Sequence, residues 1–385
     1  MPAIPQIEDF AEDLTALRRD FHAHPELGFQ EGRTSARVAQ LLEGWGIAVT
    51  RGIGGTGVVG VVDGTSPGRT IGLRADMDAL PMDEETNLPF ASKNPGVFHG
   101  CGHDGHTTML LGAARYLAAN RAFAGRAVLI FQPAEEGLGG ARAMLADGLF
   151  NRFPCDEIYG LHNSPYHEPS QVSIRPGQAQ AGARFFDIAI TGRGSHGAYP
   201  HMGRNPITAG GALLAELPQI VSGNMDPTHP AVVSVTRFEA GSAYNVIPGT
   251  AALAGTVRYF DEADGEMIAA RMRQICDGVA KAHDVEIALD IWKVFSVLEN
   301  DPERTANLID AARDIVGEEA AQADATLMMG SEDMADLLQA VPGAFFSLGH
   351  AGTVPLHNPG FVFDDAILPV GASILARLVE TRGGA

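Results

Sequence analysis

Apolar residues in the first sixty positions recur at two different spacings. Residues 8–21 carry an apolar side chain every three or four positions, which predicts a helix, and residues 34–42 predict a second helix. The first helix is expected to end at His24, because the residue before a proline disfavours the helical conformation. Short apolar runs at residues 47–49 and 57–62 then predict two strands.

A glycine-rich segment from Gly52 to Gly57 lies between these two strands and matches the pattern G-x-G-x-x-G. A dinucleotide-binding loop of this type must follow a strand and open a helix. Here a valine-rich run at residues 58–62 follows instead of a helix. We therefore interpret the segment as a turn and exclude an oxidoreductase that would use it for a nucleotide.

Four further apolar runs predict buried strands of a mainly parallel sheet, and they are residues 70–73, 127–131, 157–161 and 344–348. Helical patterns at residues 106–118 and 140–146 separate the first three of them. Strands that alternate with helices imply right-handed crossovers, so we expect an α/β fold with helices on both faces of the sheet. Ligands of such sheets bind beyond the carboxyl ends of the strands.

A different order of elements occupies the middle of the chain. Predicted strands and helices there follow the sequence β-α-β-β-α-β, with strands at 185–190, 232–238, 251–259 and 285–291 and helices at 205–220 and 263–282. This is the ferredoxin-like α+β arrangement. We expect a catalytic domain made of residues 1–182 and 293–385, interrupted by a satellite domain at 183–292. A chain of 385 residues is long enough for two hydrophobic cores.

Polar residues follow each of the four buried runs, where a parallel sheet would bring them together. The candidates are Asp76, Asp78, Glu135, Glu136, His162, His350 and His357. Among the two late histidines, His357 is the stronger candidate because it lies in a loop. Asp76 and Asp78 could hydrogen-bond imidazoles that hold a metal, or cap the turn at Pro81, and we rank Asp76 above Asp78 for the first role.

The segment after Gly100 adds a thiol and imidazoles to these carboxylates. Cys101 lies between two glycines, and His103 lies two residues further on, so both side chains could reach one ion. A lone buried cysteine is more typical of packing, and for His106 we expect a surface or capping role. Together the residues form a mixed N/O/S set that suits zinc, manganese, cobalt or nickel better than calcium or magnesium.

The adjacent pair Glu135 and Glu136 predicts a division of roles in metal-assisted hydrolysis. Neighbouring carboxylates repel each other unless a cation or a proton holds them. Side chains at adjacent positions point in divergent directions, so one can bind metal while the other takes a proton from the attacking water. The alternative is that both glutamates form salt bridges with surface lysines and have no catalytic role, but the chain contains few lysines.

Composition excludes several partners. The chain has 27 Lys and Arg against 47 Asp and Glu, a net charge of −20, which disfavours nucleic acid and anionic membranes. Three cysteines argue against a disulfide framework and for a reducing compartment. The first residues lack the pattern of a signal peptide, and no apolar run is long enough to span a membrane, so we expect a cytoplasmic protein.

Five motifs together resemble the aminoacylase/hippurate hydrolase family of dinuclear metal amidohydrolases. They are RRDFHAHPELGF at 18–29, RADMDALP at 74–81, CGHDGH at 101–106, FQPAEEG at 131–137 and GSEDM at 330–334. Relatives in this family include plant auxin-conjugate hydrolases, bacterial N-acetyl-amino-acid deacetylases and thermostable carboxypeptidases. The segment Phe98-His99-Gly100 replaces the usual Met-His-Ala, and Met334 replaces an aromatic residue. Neither departure removes a ligand, but both could reshape the substrate pocket.

The resemblance implies a zinc-peptidase-like catalytic domain and a role for each matching residue. It implies two divalent metal ions bound by Cys101, His103, Glu136, His162 and His357, with Glu135 as general base and acid and Asp76 as the orienting aspartate. It further implies that His196 of the satellite domain polarises the scissile carbonyl, often in the partner subunit's site. Asn245 and Arg258 match substrate-carboxylate contacts, although a surface salt bridge is an alternative for Arg258.

The resemblance implies hydrolysis of an N-acyl or N-aroyl amino acid to a carboxylate and a free amino acid. It also implies a homodimer or homotetramer that forms through the satellite domain. Alternatives within the enzymes are a carboxypeptidase on short peptides and an N-acetyl-diaminopimelate deacetylase. A catalytically inactive homologue is the alternative of another class, and it would be favoured by missing ligands, of which there are none.

Overall fold

The computed structural model describes residues 2–384 of the chain, which form two compact units. The first unit is built from residues up to 179, residues 299–327 and residues from 333 onward. The second unit consists of Gln180–Leu298 and Met328–Glu332. The range expected for the satellite domain, 183–292, lies inside the second unit.

Helices and strands are numbered here in chain order. The helices are α1 (Pro5–Glu8), α2 (Ala11–His22), α3 (Gly32–Gly44), α4 (His103–Ala119), α5 (Gly140–Ala146), α6 (Leu149–Arg152), α7 (Pro206–Glu216), α8 (Gln219–Asn224), α9 (Glu262–His283), α10 (Pro302–Val316), α11 (Met334–Ala340) and α12 (Leu368–Arg382). The strands are β1 (Ala48–Ile53), β2 (Gly57–Asp63), β3 (Ser66–Asp76), β4 (Ala124–Gln132), β5 (Glu157–Ser164), β6 (Val172–Ser173), β7 (Gly177–Gln180), β8 (Gly182–Thr191), β9 (Ser195–His196), β10 (Ala231–Ala240), β11 (Val246–Ile247), β12 (Thr250–Tyr259), β13 (Glu286–Phe295), β14 (Leu298–Asn300), β15 (Ala321–Gln322) and β16 (Gly343–Gly349).

The first unit contains an eight-stranded sheet with the order β1-β2-β4-β3-β5-β16-β6-β15. Its central strands β4, β3, β5 and β16 are mutually parallel, whereas β1 and β2 are antiparallel additions at one edge. These central strands are the four buried runs of the sequence, so the expected mainly parallel sheet is confirmed. Because parallel neighbours point the same way, the carboxyl ends of all four strands lie along one edge of the sheet.

Burial on both faces explains why these strands read as continuous apolar runs. The last six residues of β4 are all buried, and so are the first five of β5. Helices α4 and α12 contribute long buried faces to the same core, in which Leu73, Leu129, Leu110 and Leu375 are almost fully shielded from solvent. The sheet is therefore covered by helices, as parallel sheets require.

A buried charged network attaches α2 to the start of α4. His22 Nδ1 lies 2.8 Å from an Asp104 carboxylate oxygen, and its Nε2 lies 3.3 Å from Glu84. The Arg18 guanidinium donates to the same Asp104 oxygen at 3.3 Å. Burial by itself lowers the pKa of His22, but the hydrogen bonds to Asp104 and Glu84 outweigh it and raise that pKa to about 9. The protonated imidazole thus stabilises the beginning of the helix that carries His103.

The second unit contains a four-stranded antiparallel sheet with the order β10-β12-β8-β13. Side chains along β8 alternate between buried and exposed, so one face of this sheet packs on a core and the other does not. The core joins Ile188 and Leu253 of the sheet to Leu213 of α7 and Met272 of α9. The order and directions are those of the expected ferredoxin-like arrangement.

Two predicted elements differ from those observed. The helix expected at 205–220 is divided into α7 and α8, because Pro218 lacks the N–H that a continuous helix needs and its ring clashes with the preceding turn. The helix expected at 8–21 is divided at Asp9 and Phe10 into α1 and α2. The glycine-rich segment is followed directly by β2, so its interpretation as a turn is confirmed.

None of the helices in residues 2–384 is both long enough and apolar enough to cross a bilayer. All three cysteines, Cys101, Cys155 and Cys276, are free thiols.

We expect the contribution of His22 to stability to be lost at high pH. A pKa raised from 6.5 to about 9 adds stability that is fully present below pH 6.5 and disappears as the pH rises through about 9. Urea unfolding of the wild type and of His22→Asn should differ by up to about 3 kcal/mol near neutral pH. A difference that stays the same from pH 6 to pH 10 would contradict this assignment.

Candidate active site

The polar residues singled out in the sequence lie at the edge formed by the strand ends. Asp76 is the last residue of β3, and Glu135 follows the end of β4 by three positions. His162 lies two residues before the end of β5. The parallel register of these strands therefore brings residues from distant parts of the chain to one place.

Three candidate metal ligands meet beside the start of α4. The ligand atoms of Cys101, His103 and His162 all lie within 4.8 Å of one another, and Cys101 Sγ is 3.3 Å from His162 Nε2. Gly102 has a left-handed backbone with φ of 94°. A side chain at this position would also collide with Asn163, because an added Cβ would lie 2.3 Å from its Oδ1. Only glycine therefore lets the chain turn tightly between the thiol and the imidazole.

A second group of ligand atoms shares the same thiol. Cys101, Glu136 and His357 also lie within 4.8 Å of one another, and His357 Nε2 is 3.2 Å from Glu136 Oε1. The loop that carries His357 is held by its backbone N–H, which donates to the Gly100 carbonyl at 2.9 Å. A third group joins His103 and Glu136 to Glu135. Cys101 thus lies near all three imidazoles, those of His103, His162 and His357, and Glu136 lies near those of His103 and His357.

The atoms in this volume fit a cation better than they fit one another. His103 Nε2 is buried and makes no hydrogen bond within residues 2–384, and the nearest Glu136 oxygen is 3.9 Å away. A buried polar atom without a partner is unfavourable unless something else satisfies it. The donors are a thiol, imidazoles and a carboxylate, which is the mixed set that divalent transition metals prefer.

The pKa values of these groups move in opposite directions. Burial and the nearby Glu136 carboxylate raise the pKa of the Cys101 thiol. Hydrogen bonds to Cys101 and Glu136 raise the pKa of His357 to about 10. Burial, together with the neighbouring His106, lowers the pKa of His162. A divalent metal would bind the thiol and the imidazoles in deprotonated form, so its binding would release protons from Cys101 and His357.

The two aspartates of the RADMD motif contact different imidazoles. Asp78 Oδ1 lies 3.3 Å from Nδ1 of His103, whereas the nearest Asp76 oxygen is 3.9 Å from the same nitrogen. Asp76 instead lies 2.7 Å from Nδ1 of His106 and accepts a hydrogen bond from Arg74 at 2.7 Å. The aspartate nearer to candidate ligand His103 is therefore Asp78, whereas Asp76 was expected to be the better placed of the two.

The side chain of Glu135 is 5% exposed and lies between the ligand cluster and the start of α11. The backbone N–H of Asp333 donates to Glu135 Oε1 at 3.4 Å. The Asp333 carboxylate in turn accepts from Arg74, Gln132 and the Ala141 amide at 2.7–2.9 Å. A buried network thus holds the segment that contacts Glu135.

The candidates in the second unit lie at two different ends of its sheet. His196 belongs to β9, which pairs with β11, and the Gly197 amide donates to the Asn245 carbonyl at 2.7 Å. The ribbon of β9 and β11 ends at Ile247, and β12 begins shortly after it at Thr250. Arg258 lies eight residues further along β12, so about 26 Å of strand separates it from the end next to the ribbon.

The Arg258 guanidinium has no carboxylate partner among residues 2–384. It donates to the Thr256 hydroxyl and to the Val257 carbonyl, and its burial lowers its pKa. The surface salt bridge that the sequence left open is therefore absent from the described chain. A half-buried cation without a counter-charge is suited to binding an anion.

Comparison with known proteins identifies the family. Residues 72–381 match the model of peptidase family M20/M25/M40. The chain belongs to this family. It is 41% identical over 378 residues to hippurate hydrolase of Campylobacter jejuni, with 98% of each chain covered. It is 36% identical over 371 residues to N-acetylcysteine deacetylase of Bacillus subtilis, with 96% of each chain covered.

A solved structure gives the same result for the fold. The Bacillus subtilis YXEP protein, described as a dinuclear metal-binding peptidase of the M20 family, superimposes with a TM-score of 0.84 at 34% identity. The alignment covers 97% of the present chain and 98% of that protein. The resemblance inferred from the motifs is confirmed, and the chain is an M20 amidohydrolase with a mixed α/β fold.

One histidine of this M20 amidohydrolase is more deeply buried than its sequence context predicts. His106 was expected at the surface or in a cap, but it is 1% exposed. Its Nδ1 lies 2.7 Å from Asp76 and its Nε2 lies 2.7 Å from Asn163 Oδ1. Both ring nitrogens have partners, so His106 is not free to bind metal even though it lies near His103. His106 follows His103 by three residues, so both lie on one face of α4. This spacing alone could have indicated that His106 is buried like His103.

Asn163 and His350 complete the surroundings of this M20 site. Asn163 follows His162 and contacts His106 with both its side chain and its backbone N–H. His350 is buried against Phe361 and Phe363, and burial lowers its pKa. It lies outside the groups of candidate metal ligands, whereas His357 lies within one. Nothing in the sequence around Asn163 marked it in advance, because its partner is distant along the chain.

Proposed function

We propose that this amidohydrolase cleaves the amide bond of N-acyl or N-aroyl amino acids and releases a carboxylate and a free amino acid. The observation that carries the proposal is the convergence of Cys101, His103, Glu136, His162 and His357 beside Glu135. The hippurate hydrolase and the N-acetylcysteine deacetylase to which the chain is similar are named for amides of this kind. An unpaired Arg258 adds a group suited to the amino-acid carboxylate.

The proposed metal centre holds two divalent transition-metal ions, and zinc, manganese, cobalt and nickel all suit its donors. Cys101, His103, Glu136, His162 and His357 would hold them. Bound ions of this kind polarise an amide carbonyl and lower the pKa of water. Asp78 would orient His103 through its 3.3 Å contact, and Asp76 would act more indirectly through His106.

In the proposed mechanism Glu135 moves the proton. Its carboxylate takes a proton from the attacking water and returns it to the leaving amine. Glu135 suits this task because it is buried beside the ligand cluster and is oriented by the Asp333 amide. Glu136, the next residue, belongs to two of the ligand groups, so the adjacent carboxylates divide the roles of base and ligand.

The second unit would supply the groups that bind the rest of the substrate. Arg258 would bind the amino-acid carboxylate, while His196 would polarise the scissile carbonyl and Asn245 would assist in binding. About 26 Å of β12 lies between Arg258 and the end that carries the His196 ribbon. One small substrate cannot span that distance, so we propose that Arg258 acts with His196 and Asn245 of the partner subunit.

An exposed surface of the second unit supports association of two copies. Helix α7 exposes Ile207 and Leu214, which lie on one face two turns apart, each with 38% of its surface accessible. Strand β10 is an edge of the sheet and carries exposed Phe238. An unpaired strand edge next to exposed apolar residues favours association, and a twofold axis pairs identical edges. We therefore propose a homodimer, or a tetramer built from it, formed through this unit.

The substrate class can be tested by measuring free amino acid after incubation with N-acetyl, N-benzoyl and dipeptide substrates. We expect turnover of N-acyl or N-benzoyl amino acids, and we expect a chelator to abolish it and added zinc, manganese or cobalt to restore it. Faster release from dipeptides would favour the carboxypeptidase alternative. Selective release from N-acetyl-diaminopimelate would favour the deacetylase alternative, and turnover that resists metal removal would overturn the proposal.

Glu135→Ala should bind metal in wild-type amounts but lose nearly all turnover. The substitution removes the proposed base and leaves every proposed ligand in place, so the expected fall in kcat is about 10²-fold to 10⁴-fold. Metal content by elemental analysis and kcat should be measured on the same sample. Glu319→Ala, which removes an exposed carboxylate from a loop, is the matched control and should keep wild-type kcat. Retained turnover in Glu135→Ala would contradict the role of this residue.

Mixing two inactive variants tests whether His196 acts across subunits. A heterodimer of Glu135→Ala and His196→Ala contains one site with an intact Glu135 and an intact His196 from the partner. Random exchange of subunits should therefore restore about a quarter of wild-type activity. If His196 acts within its own subunit, the mixture should stay inactive. Exchange itself is checked by mass spectrometry on a tagged subunit.

A further inference from the structure

The residue just before Glu135 has an unusual backbone. Ala134 has φ of 55°, which lies in the left-handed region that residues other than glycine rarely adopt. It is also fully buried. A strained backbone of this kind persists only where the surroundings hold it, and it occurs preferentially at functional sites.

A buried carboxylate from a distant part of the chain contacts Ala134. The backbone N–H of Ala134 donates to Glu31 Oε1 at 2.8 Å, and the Thr56 hydroxyl donates to Glu31 Oε2 at 2.5 Å. Glu31 is 0% exposed, and no Lys, Arg or His within residues 2–384 forms an ion pair with it. A buried carboxylate that neutral donors alone stabilise is costly to the fold, which indicates a task other than stability.

Glu31 is itself held rigidly. It immediately precedes α3, and its carbonyl accepts from the Ser35 amide at 2.9 Å. Thr56, its other partner, lies in the glycine-rich turn between β1 and β2. A Cβ added to Gly57 in that turn would lie 3.2 Å from Pro133 Cδ, and one added to Gly28 would lie 3.0 Å from Ala134 Cα. Gly57 thus allows the turn to pack directly against Pro133, and Gly28 allows the segment before α3 to pack directly against Ala134.

A second carboxylate holds the other side of Glu135. The backbone N–H of Glu136 donates to Asp78 Oδ2 at 3.1 Å. The Ala134 carbonyl is also engaged, because it accepts from the Gly140 amide at 3.0 Å. Glu31 therefore holds the peptide group before Ala134, and the Gly140 amide holds the one between Ala134 and Glu135. Asp78 holds the peptide group after Glu135.

We propose that Glu31 is a positioning residue for Glu135, which it serves by holding Ala134 in the left-handed conformation that aims the Glu135 side chain. The glycine-rich turn, which resembles a nucleotide loop in sequence, supports Glu31 through Thr56. This inference rests on the proposed function only in taking Glu135 as the general base.

Substitution of Glu31 should lower kcat without changing substrate affinity. Displacement of a reacting group by about 1 Å costs roughly 10²-fold in rate, so Glu31→Ala should lose about that much in kcat while KM stays within about twofold. Glu31→Gln keeps an oxygen that accepts from Ala134 and should retain most of the activity. Thr56→Val should show a smaller loss of kcat, and it serves as the milder variant if Glu31→Ala unfolds.

A rescue variant separates positioning from a purely structural role. Glycine adopts positive φ freely, so Ala134→Gly placed in the Glu31→Ala background should recover at least about tenfold of the lost kcat. Glu26→Ala is the matched control, since Glu26 accepts from the Arg33 and Thr34 amides at the start of the same helix but does not contact Ala134. It should reduce the free energy of unfolding and leave kcat unchanged.

Amide hydrogen exchange gives a readout that does not depend on turnover. Exchange in residues 132–137 should be faster in Glu31→Ala than in the wild type and unchanged in Glu31→Gln. Unchanged exchange in Glu31→Ala, wild-type kcat in that variant, or no rescue by Ala134→Gly would each overturn the inference. If the wild type hydrolyses no N-acyl amino acid, the proposed function fails, and the exchange comparison still decides whether Glu31 holds the turn.

Discussion

The parallel pairing of β3, β4, β5 and β16 is the constraint on which the rest of the site depends. It directs four carboxyl ends to one edge of the sheet, where residues as far apart in the chain as Cys101 and His357 become neighbours. Close packing of these strands on both faces fixes the register, because a slip would exchange side chains of different size between the two packed faces. The sheet therefore acts as a rigid frame for loops that carry the chemistry.

The loops at this edge are held by buried charges as well as by apolar packing. Asp104 joins Arg18 and His22 beneath the start of α4, Asp333 joins Arg74 and Gln132 beside Glu135, and Glu31 holds Ala134. Burying so many charged groups is unfavourable unless each has partners. Their concentration around one edge indicates that exact placement of a few side chains is favoured there over maximum stability.

The second unit has a different relation to function. Its ferredoxin-like core is an ordinary apolar layer between one sheet face and helices α7, α8 and α9, but its candidate residues lie at opposite ends of the sheet. About 26 Å of β12 separates Arg258 from the end that carries His196, so a single small substrate cannot contact both groups of one subunit. In the proposed dimer one copy would contribute Arg258 and the other His196. The exposed edge strand and helix face, through which the two copies would associate, are thereby related to the proposed reaction.

Much of this architecture was determined by the sequence alone. The apolar runs predicted the four central strands, the order of elements predicted the second unit, and the motifs predicted the family, because burial and local spacing are encoded residue by residue. Tertiary structure alone decided that Asp78 contacts His103, that His106 is buried between Asp76 and Asn163, and that Glu31 reaches Ala134. Hydrogen bonds between residues far apart in the chain leave no periodic signal, so only the folded register of the strands reveals them.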